Sequence, residues 1–109
     1  MLLKAEADPN ARNNRGNTPL HITALSGDSA LHVGELLLRA KADPNAEDDV
    51  GATPLYRAAE TNGDNSAMVH MLLECGANPN KTDMNGTTPF EKAKARGHKN
   101  VMNVIKVMR

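Results

Sequence analysis

The sequence contains very few aromatic residues: one Phe, one Tyr and no Trp among 109 residues. A single globular core of this size normally uses more of them, whereas a stack of small repeats packs mainly through Ala, Leu, Val and Met. The scarcity also removes the platforms on which the bases of a single-stranded nucleic acid would stack. The 13 basic and 13 acidic residues cancel, so the overall charge does not point to a nucleic-acid partner either.

Other absences bear on the cellular setting. The single cysteine, Cys75, cannot form an internal disulfide, which favours a reducing, cytoplasmic environment. No apolar run approaches the roughly 18 residues of a membrane span, so no membrane partner is expected. The opening segment, MLLKAE, is too short for a signal peptide and already contains an acidic residue at Glu6.

Two short motifs recur with the same period of 35 residues. Gly-x-Thr-Pro begins at Gly16, Gly51 and Gly86. A second motif, Ala-Asp-Pro-Asn or Ala-Asn-Pro-Asn, begins at Ala7, Ala42 and Ala77. Two different motifs that share one period indicate a tandem array of structural repeats.

The Thr-Pro pair of the first motif predicts the start of a helix. A threonine hydroxyl can accept a hydrogen bond from a free N–H of the first turn, and proline fits the first helical position. We expect first helices over 20–26, 55–62 and 90–96, and second helices over 30–40, 67–75 and 100–108. Gly76 is a natural helix stop, whereas Lys41 holds the same place in the earlier unit and makes a less favourable turn.

These motifs resemble the ankyrin repeat over nearly the whole chain. The resemblance implies an all-α repeat solenoid, a helix-turn-helix stack with β-hairpin fingers at 11–17, 46–52 and 81–87. It implies one domain over 1–109, with a partial repeat at 1–15, repeats at 16–50 and 51–85, and a C-terminal capping repeat at 86–109. The usual period is about 33 residues. The period of 35 residues is longer than this, and the additional residues fall at 26–32 and 62–67. They represent either family length variation or a longer rim that contributes to binding.

The two ends of the array differ in polarity. Lys94 and Lys106 stand in the last unit where earlier units have small or apolar residues, and a stack needs such a polar end for solubility. The partial repeat 1–15 opens on a helical stub at Leu2 and Leu3. We expect the stub to leave an apolar edge only partly covered, formed by Leu20, Ile22, Leu31 and Leu37.

The candidate catalytic and metal-binding groups do not form a site in the sequence. One cysteine and scattered histidines do not supply the ligands of a zinc centre, and no phosphate loop or serine nucleophile elbow occurs. We expect no enzyme activity, no cofactor and no metal. His21 is expected to hydrogen-bond to Thr18 and nearby backbone, and the later Tyr56 and Glu91 are expected to weaken that network.

The resemblance implies a protein–protein interaction module that binds through its concave face and finger tips. Val50 and Met84 are the best apolar anchors, and Arg15 and Arg96 the best charged hot spots, because arginine is enriched at interface centres. The partner-binding residues carried over by position are Asn14, Arg15, Asn17, Leu25, Ser26, Asp49, Val50, Ala52, Glu60, Thr61, Met84, Asn85, Thr87 and Arg96.

Several alternatives stay open. The alternative to a binding module is a structural or assembly segment of a longer repeat protein, and the chain is expected to be a monomer or a weak homo-oligomer that associates through its N-terminal edge. A secreted effector of an intracellular bacterium is compatible with the sequence beside a cytoplasmic protein. Family members can also be hydroxylated at the asparagine of the second motif, here Asn10, Asn45 and Asn80.

Overall fold

The computed structural model describes residues 8–108, so the stub at Leu2 and Leu3 lies outside the described residues. Within this range the chain forms three pairs of helices. The first helices of the pairs are α1 (Pro19–Ser26), α3 (Pro54–Glu60) and α5 (Pro89–Arg96). The second helices are α2 (Leu31–Arg39), α4 (Ser66–Glu74) and α6 (Lys99–Met108). The helical positions predicted from the repeats therefore hold to within a few residues.

The helices form two layers. In one layer α3 packs between α1 and α5, and in the other α4 packs between α2 and α6. The result is a short rod, 39 × 26 × 21 Å, in which each unit contacts its neighbours along the chain. This is the quasi-one-dimensional arrangement of a repeat stack, and it confirms the helical repeat fold.

The core is built from residues that recur at equivalent positions of the units. Leu20 and Leu55 are completely buried in the first helices, and Leu37, Leu72 and Ile105 are completely buried in the second helices. The expectation that Leu20 and Leu37 lie on a partly covered edge is therefore wrong. Both side chains point into the stack, whereas Ile22 is exposed and Leu31 is half-buried.

Each first helix begins as the Thr-Pro pair predicts. Thr18, Thr53 and Thr88 are the N-caps, and each side chain accepts a hydrogen bond from the third helical N–H. The expectation that Glu91 weakens this network is wrong, because its carboxylate accepts from the Thr88 N–H at 3.0 Å and completes a capping box. Tyr56 makes no capping box; its hydroxyl instead donates to Asp83 Oδ2 at 2.7 Å.

Helix α3 ends at Glu60, two residues before the predicted end at residue 62. Thr61 already has an extended backbone, with ψ of 144°. The carbonyls left free at this end are bonded by the buried Asn65, whose Nδ2 donates to Thr61 O at 3.0 Å and more weakly to Ala58 O at 3.4 Å. A side chain from the following turn thus replaces the missing helical hydrogen bonds.

The extra length of the first unit has a structural use. Residues Gly27–Ala30 form a short 3-10 helix, so α2 begins later than predicted. Asp28 Oδ1 within it accepts a hydrogen bond at 2.8 Å from the backbone N–H of Met68, in the first turn of α4. The inserted turn therefore caps a helix of the next unit.

The second helices of the first two units end in the same turn, but with different residues. Backbone N–H groups of Lys41 and Ala42 donate to Leu38 O and Leu37 O, and Gly76 and its successor repeat the pattern. Lys41 has φ of 76°, the one positive φ outside glycine in residues 8–108. The prediction that Lys41 suits this turn less well than Gly76 is confirmed, since this backbone region strains a residue that has a Cβ.

Candidate functional site

The three loops that precede the first helices are tight turns held by one side chain each. These side chains are Asn13, Asp48 and Asp83, which share the 35-residue register. In the middle loop Asp48 Oδ1 accepts from the N–H groups of Val50 and Ala52, each at 3.0 Å. This role was not predicted from the sequence, although an Asn or Asp three residues before each motif glycine is the signal for it.

No strand occurs in residues 8–108, so the loops are turns there and the β-hairpin form of the fingers is not shown. Each loop is closed by two backbone hydrogen bonds, as in Asp48 N–H to Ala52 O and Gly51 N–H to Asp48 O, each at 2.9 Å. The next residue, Thr53, already serves as a helix cap. The paired segment is therefore too short to extend into a ladder.

Neighbouring loops are nevertheless joined through their backbones. The Asp49 N–H donates to Arg15 O at 3.1 Å, and the Met84 N–H donates to Val50 O at 3.0 Å. The spacing leaves no room for a side chain at the motif glycine, since a Cβ at Gly51 would lie 3.0 Å from the Met84 nitrogen. The three loops thus form one connected row beside the first helices.

His21 fixes α1 to the second loop. Its Nε2 lies 2.8 Å from Ala52 O, and its Nδ1 lies 3.2 Å from the Thr18 nitrogen and 2.9 Å from the Thr18 hydroxyl. A neutral ring with the proton on Nε2 satisfies these contacts, because Nε2–H donates to the carbonyl and Nδ1 accepts. Burial lowers the pKa of His21 and keeps it in this form. The structural role expected for His21 is therefore what the structure shows.

Asp48 also anchors a charged cluster on the middle unit. Arg57 donates to Asp48 Oδ2 through Nη2 at 2.7 Å and Nε at 3.1 Å, and to Glu60 Oε1 through Nη1 at 2.6 Å. Burial acts to raise the pKa of Asp48, but the hydrogen bonds from Arg57, Ala52 and Val50 outweigh it and lower the pKa. The cluster is internally satisfied, so its charges are not free to recruit a partner.

Tyr56 connects the middle helix to the third loop. Burial, together with the hydrogen bond to Asp83, raises the pKa of Tyr56 to about 12, so the phenol stays protonated. Two cations approach the ring, Arg57 at 5.9 Å and Lys92 at 6.0 Å from its centroid. Both contacts are within cation–π range, and the one from Lys92 of α5 joins the first helices of adjacent units.

A groove runs between the loop tips and the first helices. Its volume is about 330 Å³. Its lining, which we call the loop–helix groove, comprises Arg15, Asn17, Leu25, Asp48, Asp49, Val50 and Arg57. A second hollow of about 420 Å³ continues it over the first loop and reaches Ile22. Arg57 and Ile22 were not among the predicted binding residues; they occupy equivalent positions one period apart on the first helices.

The predicted partner-binding residues divide by their exposure. Nine are exposed, namely Asn14, Arg15, Leu25, Ser26, Asp49, Val50, Met84, Asn85 and Arg96. Four are half-buried: Asn17, Glu60, Thr61 and Thr87. Ala52 is fully buried, so its assignment to the binding surface is wrong. Its N–H and carbonyl are both bonded within the protein, to Asp48 and His21, and its methyl group packs inside the stack.

The structure brings five of the predicted residues together in the loop–helix groove: Arg15, Asn17, Leu25, Asp49 and Val50. Met84, Asn85 and Thr87 belong to the third loop, and Arg96 lies at the end of α5. In residues 8–108 no three His, Cys, Asp or Glu side chains are placed to share a metal ion. Nor does any helix of that range have the length and apolar character to cross a bilayer.

Three helix pairs in register, joined by a connected row of loops, define a helical repeat protein of the kind whose surfaces recognise other proteins. A family model of ankyrin repeats, containing three copies, matches residues 1–83. The chain therefore belongs to the ankyrin repeat family. Ankyrin repeats are generally non-enzymatic modules of protein–protein interaction. No curated protein matches the chain.

Proposed function

We propose that this protein binds a protein partner through the loop–helix groove and the loop tips, which form its concave face. The proposal depends on the positions of the exposed large apolar side chains. Residues 8–108 contain five such side chains, and four of them lie on α1 or on the loop tips: Ile22 and Val50 are 48% exposed, Leu25 is 41% exposed and Met84 is 74% exposed. Apolar side chains concentrated on one face favour an interface over a solvated surface.

The polar groups of the groove favour a partner segment of mixed character. The side chains of Arg15 and Asp49 are exposed and form no ion pair with the described residues, whereas Asp48, Arg57 and Glu60 pair among themselves. The two unpaired charges stand on adjacent loops, beside Val50. They can therefore orient a partner whose apolar side chain packs against Val50 and Leu25.

The groove is also preorganised. Its loops are tied to each other by backbone hydrogen bonds, and each loop is tied internally by Asn13, Asp48 or Asp83. Little conformational entropy is lost on association when a surface is already ordered, so affinity can come from a modest contact area.

The test is affinity capture from cells with matched surface variants. Val50→Asp and Met84→Asp place a charge on the apolar loop tips, and Ala67→Asp places the same charge on the exposed side of α4. We expect a partner that is retained by the wild type and Ala67→Asp but depleted roughly tenfold or more by Val50→Asp. Equal retention by all four proteins, with unchanged melting temperatures, would place the interface elsewhere.

A second candidate function is assembly through the outer side of α1. A shallow, mostly apolar hollow of about 390 Å³ lies there, lined in part by Ala11, Pro19, Ile22 and Thr23. Another copy of the chain, or further repeats of a longer protein, would bury it. Sedimentation velocity at rising protein concentration tests whether another copy of the chain binds there. Self-association that Ile22→Asp abolishes would support such a dimer, and a wild-type protein that stays monomeric at every concentration would rule the dimer out.

We infer a reducing compartment for this interaction. Cys75 is exposed and unpaired in the described residues, and an exposed thiol persists best where disulfides do not form. Fractionation of cells that produce the protein checks this placement, since recovery from an oxidising compartment would contradict it.

A further inference from the structure

The overall neutrality of the chain conceals a strong separation of charge. Residues 92–109 contain six basic residues and no acidic residue, so this stretch carries a formal charge of +6. Because the whole chain has a formal charge of zero, residues 1–91 carry −6. An asymmetry of this kind indicates an electrostatic surface rather than a uniformly solvated one.

The structure places four of these cations, exposed, on the last helix pair. We call Lys94, Arg96, Lys99 and Lys106 the basic end; they lie in α5 and α6. No side chain of the basic end forms an ion pair with the described residues. Elsewhere the cations are often neutralised: Arg39 pairs with Glu35, Arg57 with Asp48 and Glu60, and Lys81 with Glu47.

Two of the lysines stand where earlier units pack against a neighbour. Lys94 is one period after Ala59 and two periods after Ala24, and both alanines are completely buried. Lys106 aligns with the half-buried Leu73 of α4, with the starts of α4 and α6 as reference. Within residues 8–108 no element covers this side of the last unit, so both ammonium groups face solvent.

The solubility of a terminal repeat does not explain charges of a single sign. A polar end needs hydrophilic side chains, and interspersed acids and bases serve that purpose well. Lys94, Arg96 and Lys106 lie in the last turns of α5 and α6, where the helix dipole favours a cation, whereas Lys99 lies in the first turn of α6, where it does not. A field of one sign steers and orients an oppositely charged ligand.

We propose that the basic end is a second docking surface, separate from the loop–helix groove, for an acidic segment of a protein partner. A single-stranded nucleic acid fits less well, because residues 92–109 contain no aromatic side chain on which a base could stack, and a duplex fits less well because the chain as a whole has no positive net charge. A lipid surface fits less well too. On α6 the side chains of Val101 and Ile105 are buried against the stack, and Val107 alone is a strongly exposed large apolar side chain there, which is too little apolar surface to anchor the helix in a bilayer.

The experiment measures fluorescence anisotropy of a labelled peptide of glutamate and serine residues against the full chain. The control peptide has glutamine in place of each glutamate. The double variant Lys94→Glu, Lys106→Glu reverses charge at the basic end, and Arg39→Glu, Lys81→Glu makes the same change in formal charge elsewhere. We expect wild-type binding to weaken as salt screens the charges, and to fall roughly tenfold in the first double variant alone.

Each other result overturns the proposal. Equal losses in the two double variants would show a response to net charge only, and binding of the glutamine peptide would exclude an electrostatic site. If the protein binds phosphatidylserine vesicles but does not bind the acidic peptide, the ligand of the basic end is a lipid surface. Self-association that the first double variant abolishes would identify a second copy as the ligand. Val50→Asp leaves peptide binding unchanged if the two surfaces are independent, so this proposal and the groove can fail separately.

Discussion

The connection between neighbouring loops can be measured by comparing two glycines that have the same backbone conformation. Gly51 has φ of 80° and Gly86 has φ of 81°. A Cβ at Gly51 would meet the Met84 nitrogen at 3.0 Å, whereas a Cβ at Gly86 would meet nothing within 4 Å. Alanine at either position therefore has the same local strain, and only Gly51→Ala also disturbs the next loop.

The magnitudes follow from these two contributions. An alanine with positive φ costs about 1–2 kcal/mol, reduced by the lower entropy that alanine has in the unfolded chain. We therefore expect Gly86→Ala to lower the free energy of unfolding by about 1 kcal/mol. Gly51→Ala must also displace the Met84 N–H from Val50 O, a hydrogen bond worth about 0.5–1.5 kcal/mol. Its total loss should be about 2 kcal/mol, with a melting temperature about 4 °C below that of Gly86→Ala.

Urea unfolding followed by far-UV circular dichroism gives both free energies, and amide hydrogen exchange gives a local readout. The Met84 N–H should lose protection in Gly51→Ala and keep it in Gly86→Ala. Equal losses of stability in the two variants, with Met84 equally protected, would refute the reasoning. The loops would then be independent turns, and the row they form would not act as one surface.

Two further predictions concern single residues. Lys41→Gly should raise the free energy of unfolding by about 0.5–1 kcal/mol because it relieves positive-φ strain; Lys41→Ala controls for charge, and an equal gain there would contradict this explanation. His21 should make stability fall as the pH drops below its unfolded pKa of 6.5, since the unfolded chain takes up the proton that burial disfavours. Thermal melts across that range should show a shallower loss in His21→Gln, and an identical slope would assign the loss to other groups.

The sequence was sufficient for the parts of the fold that depend on local chemistry. Thr-Pro pairs start helices through the N-cap and the fixed φ of proline, so Pro19, Pro54 and Pro89 were placed correctly. The contrast between Lys41 and Gly76 was equally predictable, because positive φ is a property of one residue. Features of this kind can be recognised without knowing which elements come together.

The misjudged features depend on contacts between units. The end of α3 is set by Asn65, and the start of α4 by Asp28 of the preceding unit. Ala52 was assigned to the binding surface because it follows a loop glycine, yet its neighbours in space bury it completely. Leu20 and Leu37 were assigned to the edge of the stack, yet both are completely buried, and the exposed Ile22 lies beside the groove as well as at that edge.

The loops show why specificity can vary on this scaffold without loss of the fold. In each loop the first position holds the turn through its side chain, and in the first two loops the glycine lets the next loop approach. The two positions between them, such as Asp49 and Val50, join the neighbouring loops only through backbone groups. Their side chains are exposed and make no hydrogen bond within the described residues. Substitution there changes what the surface offers a partner and leaves intact the bonds that hold the loops in a row.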